Sequence, residues 1–402
     1  MAYSSWFAAV GASPFLLLAE VSLLAEPPAA PPNEQQPAEN TSDAASTEVP
    51  DKALLEVHVL GDGDDNLQKV PGSRALLTSK EIARTAPRTS AELVRRMPSL
   101  TVTSEDPHGL RLNVGLRGLD PTRSRSILVL EDGVPIAINP YAEPDLYYST
   151  PLNRIAGVEL VKGSGAVLFG PQTVGGVLNF LTHSPPDQRE FVSRLEIGDY
   201  GFVHGYARYG DSHEDVRFLV SADFKRSDGP RDIGFNALDV MGKVAFPTGP
   251  HGELLVKVSG YNELSASTYV GLTRDQFEAN PEQPTLAPDD QFHVRRFDLS
   301  LTHRERLSDA VELRTLAYGY VTNRTWRRQR YDRQAVEGVD YVRVEGDPTT
   351  PLGAIYFRDQ SVIRDRHYQV AGLEPMVTAK LTHGAVRQTL TAGVRGHLEL
   401  GQ

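Results

Sequence analysis

The sequence predicts a small α+β domain followed by an antiparallel β-barrel, and three observations support this fold class. Between residues 52 and 186, two helix-start signals precede short strands separated by glycine turns. From residue 191 onward, apolar and polar residues alternate with a period of two in windows of about ten residues. Charged residues repeatedly occupy the polar face of these windows. The wet lumen of a membrane barrel accepts such charges, whereas the inner side of a soluble β-sandwich does not, so the pattern favours the barrel.

The composition excludes several classes of protein. Of the 402 residues, 40% are hydrophobic and 23% are charged, and no apolar run reaches the length of a transmembrane helix. The chain has no cysteine, which excludes a disulfide framework, a thiol nucleophile and a cysteine-ligated metal. The formal net charge of −11 argues against a nucleic-acid partner.

The N-terminal 51 residues are interpreted as an export leader and a linker. Residues 1–26 are a predicted signal peptide, because the apolar run 6–19 has the length of a signal core. No Lys or Arg precedes Lys52, so a wrongly assigned start or a divergent leader is the alternative. Residues 27–51 are rich in Pro, Ala and Glu without apolar periodicity, which predicts a disordered linker.

The α+β domain has local signatures for its helices and for one hairpin. Thr78–Glu81 and Thr89–Glu92 are capping boxes that predict two short helices. Asp132–Gly133 lies between two apolar runs and predicts a tight hairpin. The glycine-rich stretch 163–170 lacks the Gly-Lys-Ser/Thr of a phosphate loop, and no catalytic constellation occurs. We therefore expect neither an enzyme nor a bound cofactor.

Nine strand windows are predicted within residues 187–402. Short and long connections alternate between them, as expected for the periplasmic turns and outer loops of a membrane barrel. The long connections are 227–234, 263–292 and 324–365. The windows are 191–198, 203–210, 215–226, 235–246, 252–262, 293–304, 310–323, 366–382 and 386–400.

The segment from Asn113 to Thr182 resembles the plug domain of TonB-dependent outer-membrane receptors, and within that family it is most similar to the ferric citrate receptors. The resemblance implies an α+β plug domain at residues 52–186 and a transmembrane β-barrel in the bacterial outer membrane. It also implies that the protein imports a ferric chelate, either ferric citrate or a related siderophore, into the periplasm. The matching pieces are Arg117–Gly118–Leu119, Asp132–Gly133–Val134–Pro135, Pro140–Tyr141, and Val161 through Gly176 to Asn179–Phe180.

The same resemblance implies an energy-coupling partner. Receptors of this family keep a TonB box before the plug, and the TonB protein recruits this extended segment as an added strand. An ordinary first strand of the plug is the alternative for these residues. The implied partners are TonB with its inner-membrane ExbB/ExbD-type complex, the ferric chelate, and outer-membrane lipid and lipopolysaccharide. Since only the linker separates the leader from this box, we expect transport without a signalling domain. The predicted box consists of Leu55, Glu56, Val57, His58 and Val59.

A ferric citrate complex is an anion whose iron arrives already chelated, so its receptor needs hydrogen-bond donors and no metal ligands. Arginine suits this role by its charge and its forked geometry. By resemblance, Arg366 matches a substrate-contacting arginine, and Arg324 or Arg327 of the predicted loop 324–333 matches another. Solvated loop charges or contacts with lipopolysaccharide phosphates are the alternative for these arginines.

On the predicted plug, two acidic residues depart from the family pattern. Glu105 and Glu143 stand where ferric citrate receptors present a Thr and a Gln. Acids there repel citrate unless they are protonated or paired with arginine, which leaves a less anionic siderophore or another chelate as an alternative. His108 and Tyr141 lie nearby in the sequence and are further candidate donors.

Other functions remain open at this point. One is an outer-membrane receptor for another small ligand, such as a cobalamin-like chelate, and a second is a receptor whose main ligands are colicins or phages. Receptors of this family close their barrel with 22 strands, so nine windows predict a C-terminally truncated chain. A third alternative is therefore a non-transporting remnant that acts only as a surface-binding protein.

Overall fold

The computed structural model describes residues 7–12, 18–22, 73–142, 144–163, 166, 169–383 and 386–402. They form an α+β domain and one large antiparallel sheet, as predicted, preceded by two short strands, β1 (Phe7–Ala12) and β2 (Leu18–Ser22). The predicted linker, the TonB box (55–59) and Glu143 lie outside the described residues. Among the described helices, none combines the length and apolar character needed to cross a membrane.

The α+β domain contains a five-stranded sheet and a separate two-stranded ladder. The five-stranded sheet has the order β3-β8-β9-β6-β7, in which only β6 and β9 run parallel. The two-stranded ladder joins β4 and β5. The strands are β3 (Ser73–Leu77), β4 (Leu100–Ser104), β5 (Leu112–Leu116), β6 (Ile127–Glu131), β7 (Val134–Pro135), β8 (Ile155–Lys162) and β9 (Gly176–Thr182), and the helices are α1 (Ser79–Thr85) and α2 (Ser90–Val94).

The predicted helix starts are present in the structure. The Thr78 side chain accepts from the backbone N–H of Glu81, and the Glu81 carboxylate accepts in return from the backbone N–H of Thr78. Thr89 also accepts from the N–H of Glu92, but the Glu92 carboxylate bonds the N–H of Arg88 instead of completing the box. The predicted capping box is therefore complete at α1 and half formed at α2.

Backbone geometry requires glycine at two positions of the α+β domain, Gly133 and Gly115. Asp132 and Gly133 have φ values of 49° and 82° and join β6 to β7, which is the geometry of a tight hairpin turn. At Gly115 the reason is close approach, since a Cβ there would lie 2.1 Å from the carbonyl oxygen of Leu119. No larger residue fits at this position without a backbone shift.

The large sheet contains eleven strands from β10 to β20. Its order follows the chain from β10 to β16 and continues through β18 to β20, while β17 pairs only with β18. At the far edge, β1 pairs with β20 and β2 pairs with β19. The strands are β10 (Glu190–Gly198), β11 (Phe202–His213), β12 (Val216–Ser227), β13 (Phe235–Pro247), β14 (Gly252–Ala266), β15 (Gln291–Ser308), β16 (Val311–Asp332), β17 (Tyr341–Gly346), β18 (Ala354–His383), β19 (Val386–Gly393) and β20 (Gly396–Gly401).

The structure corrects the predicted strand count from nine to eleven. The strand β17 lies inside the predicted long connection 324–365, and β16 and β18 extend into that connection from both sides. The window 386–400 is divided at Val394 and Arg395, which lie opposite Pro375 of β18. Proline has no N–H to donate, so the ladder is interrupted at this point.

The two faces of the large sheet differ in polarity, as the sequence pattern predicts. Side chains on the inner face contact the α+β domain, and those on the outer face are exposed. Three consecutive cross-strand rows of the outer face are mainly apolar and include Val240, Leu299 and Val321. The next row is polar and connects four neighbouring strands through Asn262, Arg295, Asn323 and His367. An apolar band bordered by polar side chains is typical of a strand surface in contact with lipid.

The α+β domain and the inner face share one hydrophobic core. Leu93, Val114 and Phe180 of the domain belong to the same buried cluster as Phe292 and Trp326 of the sheet. The two parts are therefore packed against each other, and their contact positions the candidate site.

Candidate functional site

The end of the sheet that carries the long connections holds a cluster of aromatic rings and arginines. The Trp326 ring on β16 lies 6.0 Å from that of Tyr147 and 4.9 Å from that of Tyr269. The Arg324 guanidinium lies 4.8 Å from the Tyr147 ring, and the Arg328 guanidinium lies 4.6 Å from the Trp326 ring. We call these five residues the outer cluster. Because Tyr147 comes from the α+β domain, the cluster spans both parts of the molecule.

Arg324 and Arg366 are direct register partners on β16 and β18. Directly paired residues point to the same face of a sheet, and Arg324 is buried on the inner one. The Arg366 guanidinium donates to the hydroxyl of Tyr368 at 3.1 Å. The pair therefore places two positive charges side by side on the inner face.

The structure places Arg327 away from this pair. Arg327 pairs with Ile363 on the outer face of the sheet, where its side chain is exposed. The prediction of a loop at 324–333 was wrong, because β16 is regular to Asp332 apart from one register shift between Gln329 and Tyr331. Strand alternation therefore separates two arginines that the sequence treats as equivalent.

The predicted plug residues have distinct partners in the structure. Glu105 accepts from the Asn113 amide at 3.1 Å and from the Tyr269 hydroxyl at 3.4 Å, which places it beside the outer cluster. The His108 ring packs on Phe235, and its Nε2 bonds the carbonyl of Ile233 at 2.6 Å.

Tyr141 contacts the far edge of the sheet. Its hydroxyl accepts from Arg395 at 3.2 Å, and its ring meets that of His397. Of the candidate residues on the α+β domain that the structure describes, only Glu105 contacts a residue of the outer cluster.

The remaining groups around Tyr147 fix its position and protonation state. Arg123 and Arg125 both donate to the buried Asp145, two residues before Tyr147. Burial raises the pKa of the Tyr147 hydroxyl to about 12, against the opposing effect of Arg123. The hydroxyl therefore stays protonated near neutral pH and remains a hydrogen-bond donor.

A second polar group lies buried between the α+β domain and the sheet. Arg154 of the domain donates to both carboxylate oxygens of Asp239 and to Glu131 at 3.1 Å. Lys257 of the sheet lies 2.6 Å from both Glu131 and Asp132. Lys243 adds a contact of 3.4 Å to Asp132. We call these six residues the interface charge network; three carry positive and three carry negative charge.

The network keeps the two plug-side carboxylates, Glu131 and Asp132, ionised. Burial alone would raise the pKa of Glu131, but Lys257 and Arg154 outweigh burial and lower it. The pKa of Asp132 is lowered in the same way, against burial, by Lys243 and Lys257. A buried carboxylate stays charged when close cations replace its hydration. Separating the two parts would leave each with uncompensated charge.

Sequence reasoning missed the interface charge network and most of the outer cluster. Asp239 and Lys243 occur on the polar face of a predicted strand. This inward position was the only sequence feature that pointed to a role in the network. Tyr147 and Trp326 carry no motif, and their proximity depends on how the two parts pack. In the part of the chain that the structure describes, no three His, Asp or Glu side chains are grouped to hold a metal ion.

Three connecting segments meet above the outer cluster and form what we call the outer lobe: residues 228–234, 267–290 and 333–353. Thr285 donates its N–H to the carbonyl of Arg231 at 2.9 Å, which joins the first two segments. Arg343 donates to the carbonyl of Leu286, which joins the second to the third. The second segment contains helix α3 (Arg274–Ala279) and packs Leu286 against Phe357 of β18.

Comparisons with known proteins agree with this architecture. Residues 66–177 match the family model of the TonB-dependent receptor plug domain. The chain is 29% identical over 205 residues to the vitamin B12 transporter BtuB of Photobacterium profundum, a match that covers 48% of this chain and 33% of that protein. It is 27% identical over 143 residues to the ferric enterobactin receptor PirA of Pseudomonas aeruginosa, which covers 32% of this chain and 19% of that protein.

Solved structures show the same fold. The unliganded ferric citrate transporter FecA superimposes with a TM-score of 0.71 at 21% identity, over 86% of this chain and 50% of that chain. FpvA of P. aeruginosa, solved in complex with an iron-bound pyoverdine, gives a TM-score of 0.66 at 14% identity, over 83% of this chain and 43% of that chain.

These findings identify residues 66–177 of the α+β domain as a plug domain of the type found in TonB-dependent receptors. The large sheet has the fold of part of the barrel in these solved structures. The chain spans about a third or less of the length of these curated relatives and about half of the solved structures.

Proposed function

We propose that this chain forms the plug and the first barrel strands of an outer-membrane receptor that imports a ferric chelate into the periplasm. The chelate is ferric citrate or a related siderophore, and TonB supplies the energy of the proton gradient through residues 55–59. Substrate binding beneath the outer lobe biases the plug toward release of this N-terminal segment.

The pairing of Arg324 with Arg366 on the inner face supports this proposal most directly. Both arginines lie on the wall that faces the plug, and Arg324 contacts the plug residue Tyr147. An anionic chelate within reach of both guanidiniums gains charge-assisted hydrogen bonds. Glu105, close to Tyr269, disfavours the most anionic chelates and makes a less charged siderophore the second candidate.

Trp326 provides a direct assay of binding. The chain has two tryptophans, and Trp326 belongs to the outer cluster while Trp6 lies in the predicted leader. We expect ferric citrate or a siderophore to quench the Trp326 fluorescence with saturation. The Trp326→Phe variant is the control, because it removes the signal without removing either arginine.

Uptake of radiolabelled iron chelate in cells tests the transport step. We expect uptake to cease with a proton uncoupler and on deletion of residues 55–59, while binding persists in both cases. Saturable binding of cyanocobalamin, with none of any ferric chelate, would replace this proposal with a cobalamin-type receptor. Binding without energy-dependent uptake would instead support a surface-binding protein.

A further inference from the structure

One plug loop is attached to the barrel through its backbone. The carboxylate of Glu399 on β20 accepts from the N–H of Tyr141 at 2.9 Å and from the N–H of Ala142 at 3.1 Å. Glu399 is 2% exposed. Two N–H groups aimed at one buried carboxylate form strong, charge-assisted hydrogen bonds and fix the position of the loop.

His397 and Tyr318 orient this carboxylate. His397 Nε2 lies 2.9 Å from Glu399, and its Nδ1 lies 2.7 Å from the Tyr318 hydroxyl. The hydrogen bonds are satisfied when Tyr318 donates to Nδ1 and Nε2–H donates to Glu399, which specifies one neutral tautomer. The ring therefore fixes which way Glu399 points.

Arg395 holds the Tyr141 side chain of the same loop. Its guanidinium donates to the Tyr141 hydroxyl at 3.2 Å and to Glu374 of β18. Arg395 lies in the ladder interruption opposite Pro375. Arg395, His397 and Glu399 thus lie in succession on the inner face, and we call them the edge clasp.

The loop held by the edge clasp and the residue that orients Arg366 both lie beside Gly401 of β20. Asn139 begins this loop, and a Cβ placed at Gly401 would lie 3.6 Å from the Asn139 amide nitrogen and 3.3 Å from the Tyr368 ring. Tyr368 in turn accepts from Arg366. The plug loop and the Tyr368–Arg366 pair therefore border the same position on β20.

We propose that Glu399 is a positioning residue: oriented by His397, it fixes plug loop 139–142 and through it the Tyr368–Arg366 side of the ligand site. The role in transport rests on the proposed function, whereas the position of the loop does not. The nearest equivalent elsewhere on the inner face is Glu263, which is 1% exposed and bonds the plug residue Arg111 at 2.7 Å.

Amide hydrogen exchange in the full chain tests the proposal. Glu399→Gln removes the charge and presents an NH₂ group to two N–H donors, so exchange at Tyr141 and Ala142 should accelerate roughly tenfold or more. Glu263→Gln, the matched control, should leave exchange at these two amides unchanged. Equal exchange in E399Q and the wild-type chain, or equal acceleration by E263Q, would overturn the proposal.

His397 variants give a second test that does not depend on E399Q folding. His397→Gln keeps a donor near the Nε2 position and should retain slow exchange at Tyr141 and Ala142, whereas His397→Leu should accelerate it. Identical exchange in these two variants would contradict the orienting role. Chelate binding is measured separately through Trp326 fluorescence. A wild-type chain that binds no chelate would contradict the proposed function, but it would not affect the conclusion from hydrogen exchange.

Discussion

Arg324 and Arg366 face each other across β16 and β18 on the wall that packs against the plug. The pair brings two positive charges together at residues 42 positions apart in the sequence. The extension of β16 beyond its predicted end at residue 323 brings Arg324 into this register, since a loop would not hold the two side chains in fixed opposition.

The first prediction concerns ligand affinity. Arg366→Gln should weaken chelate binding about tenfold to a hundredfold, because charge-assisted hydrogen bonds to the anion are lost. Arg327→Gln is the matched control, since Arg327 lies on the outer face of the same sheet and should bind normally. Titration of Trp326 fluorescence measures both. Equal affinities in the two variants would exclude the arginine pair as the ligand contact.

The second prediction concerns the attachment of the plug to the barrel. Lys257→Met should destabilise the protein by about 3–5 kcal/mol, because Glu131 and Asp132 lose their closest shared cation in a buried site. Thermal unfolding measures the loss, and Lys380→Met, at an exposed position of β18, is the control. Adding Glu131→Gln to K257M should recover part of the stability. A double variant less stable than K257M would argue against an electrostatic cause.

The third prediction concerns pH. Burial lowers the pKa of His183, at the end of the plug, to about 3, with Arg208 and Lys243 acting in the same direction. Because its ordinary pKa is near 6.5, the unfolded chain binds an extra proton between about pH 6.5 and 3, and stability falls as pH falls through this window. His183→Gln should flatten the dependence of the unfolding temperature between pH 7 and 5. An unchanged slope would show that His183 does not cause the loss of stability between pH 7 and 5.

Glu131 and Asp132 titrate in a lower range of pH than His183. Since the pKa values of Glu131 and Asp132 are lowered in the fold, their contribution is complete above the ordinary carboxylate range and is lost only on stronger acidification. Their titration therefore does not obscure the effect of His183 between pH 7 and 5.

The fourth prediction concerns Gly115. Gly115→Ala should destabilise the plug by about 3 kcal/mol, because the added Cβ overlaps the carbonyl of Leu119. Protease sensitivity of the plug and thermal unfolding both report this effect. Gly205→Ala is the control, since a Cβ at Gly205 meets no atom within 4 Å. Equal stability of the two variants would contradict this prediction, because it would mean that the backbone near Leu119 shifts to accept a Cβ at Gly115 with little loss of stability.

Local rules account for much of the fold. Three features depend only on residues close in sequence and were predicted from them. They are the helix cap at Thr78, the Asp132–Gly133 turn and the polar–apolar alternation of β12 to β15. The missed strand β17 and the long ends of β16 and β18 carry many charged residues. Their polar composition resembles that of a loop, and only pairing with neighbouring strands makes them regular.

The candidate site was harder to predict from the sequence, because it also depends on strand pairing and on contacts between distant residues. Arg366 and Arg324 were singled out by resemblance. Whether an arginine points to the inner or the outer face depends on its position in the alternation of a strand. Because residues 324–333 were predicted as a loop, the sequence could not show that Arg327 points outward. Tyr141 and His108 were named as candidate donors, and in the structure they contact Arg395 and Ile233. Those contacts join residues more than 100 positions apart, and no local pattern encodes them.

The hydrogen bonds within the outer lobe have a consequence for how a ligand enters. Since Thr285 bonds Arg231 and Arg343 bonds Leu286, displacement of any one segment is transmitted to the other two. A ligand that contacts one of the three segments therefore also acts on the hydrogen bonds that join it to its neighbour.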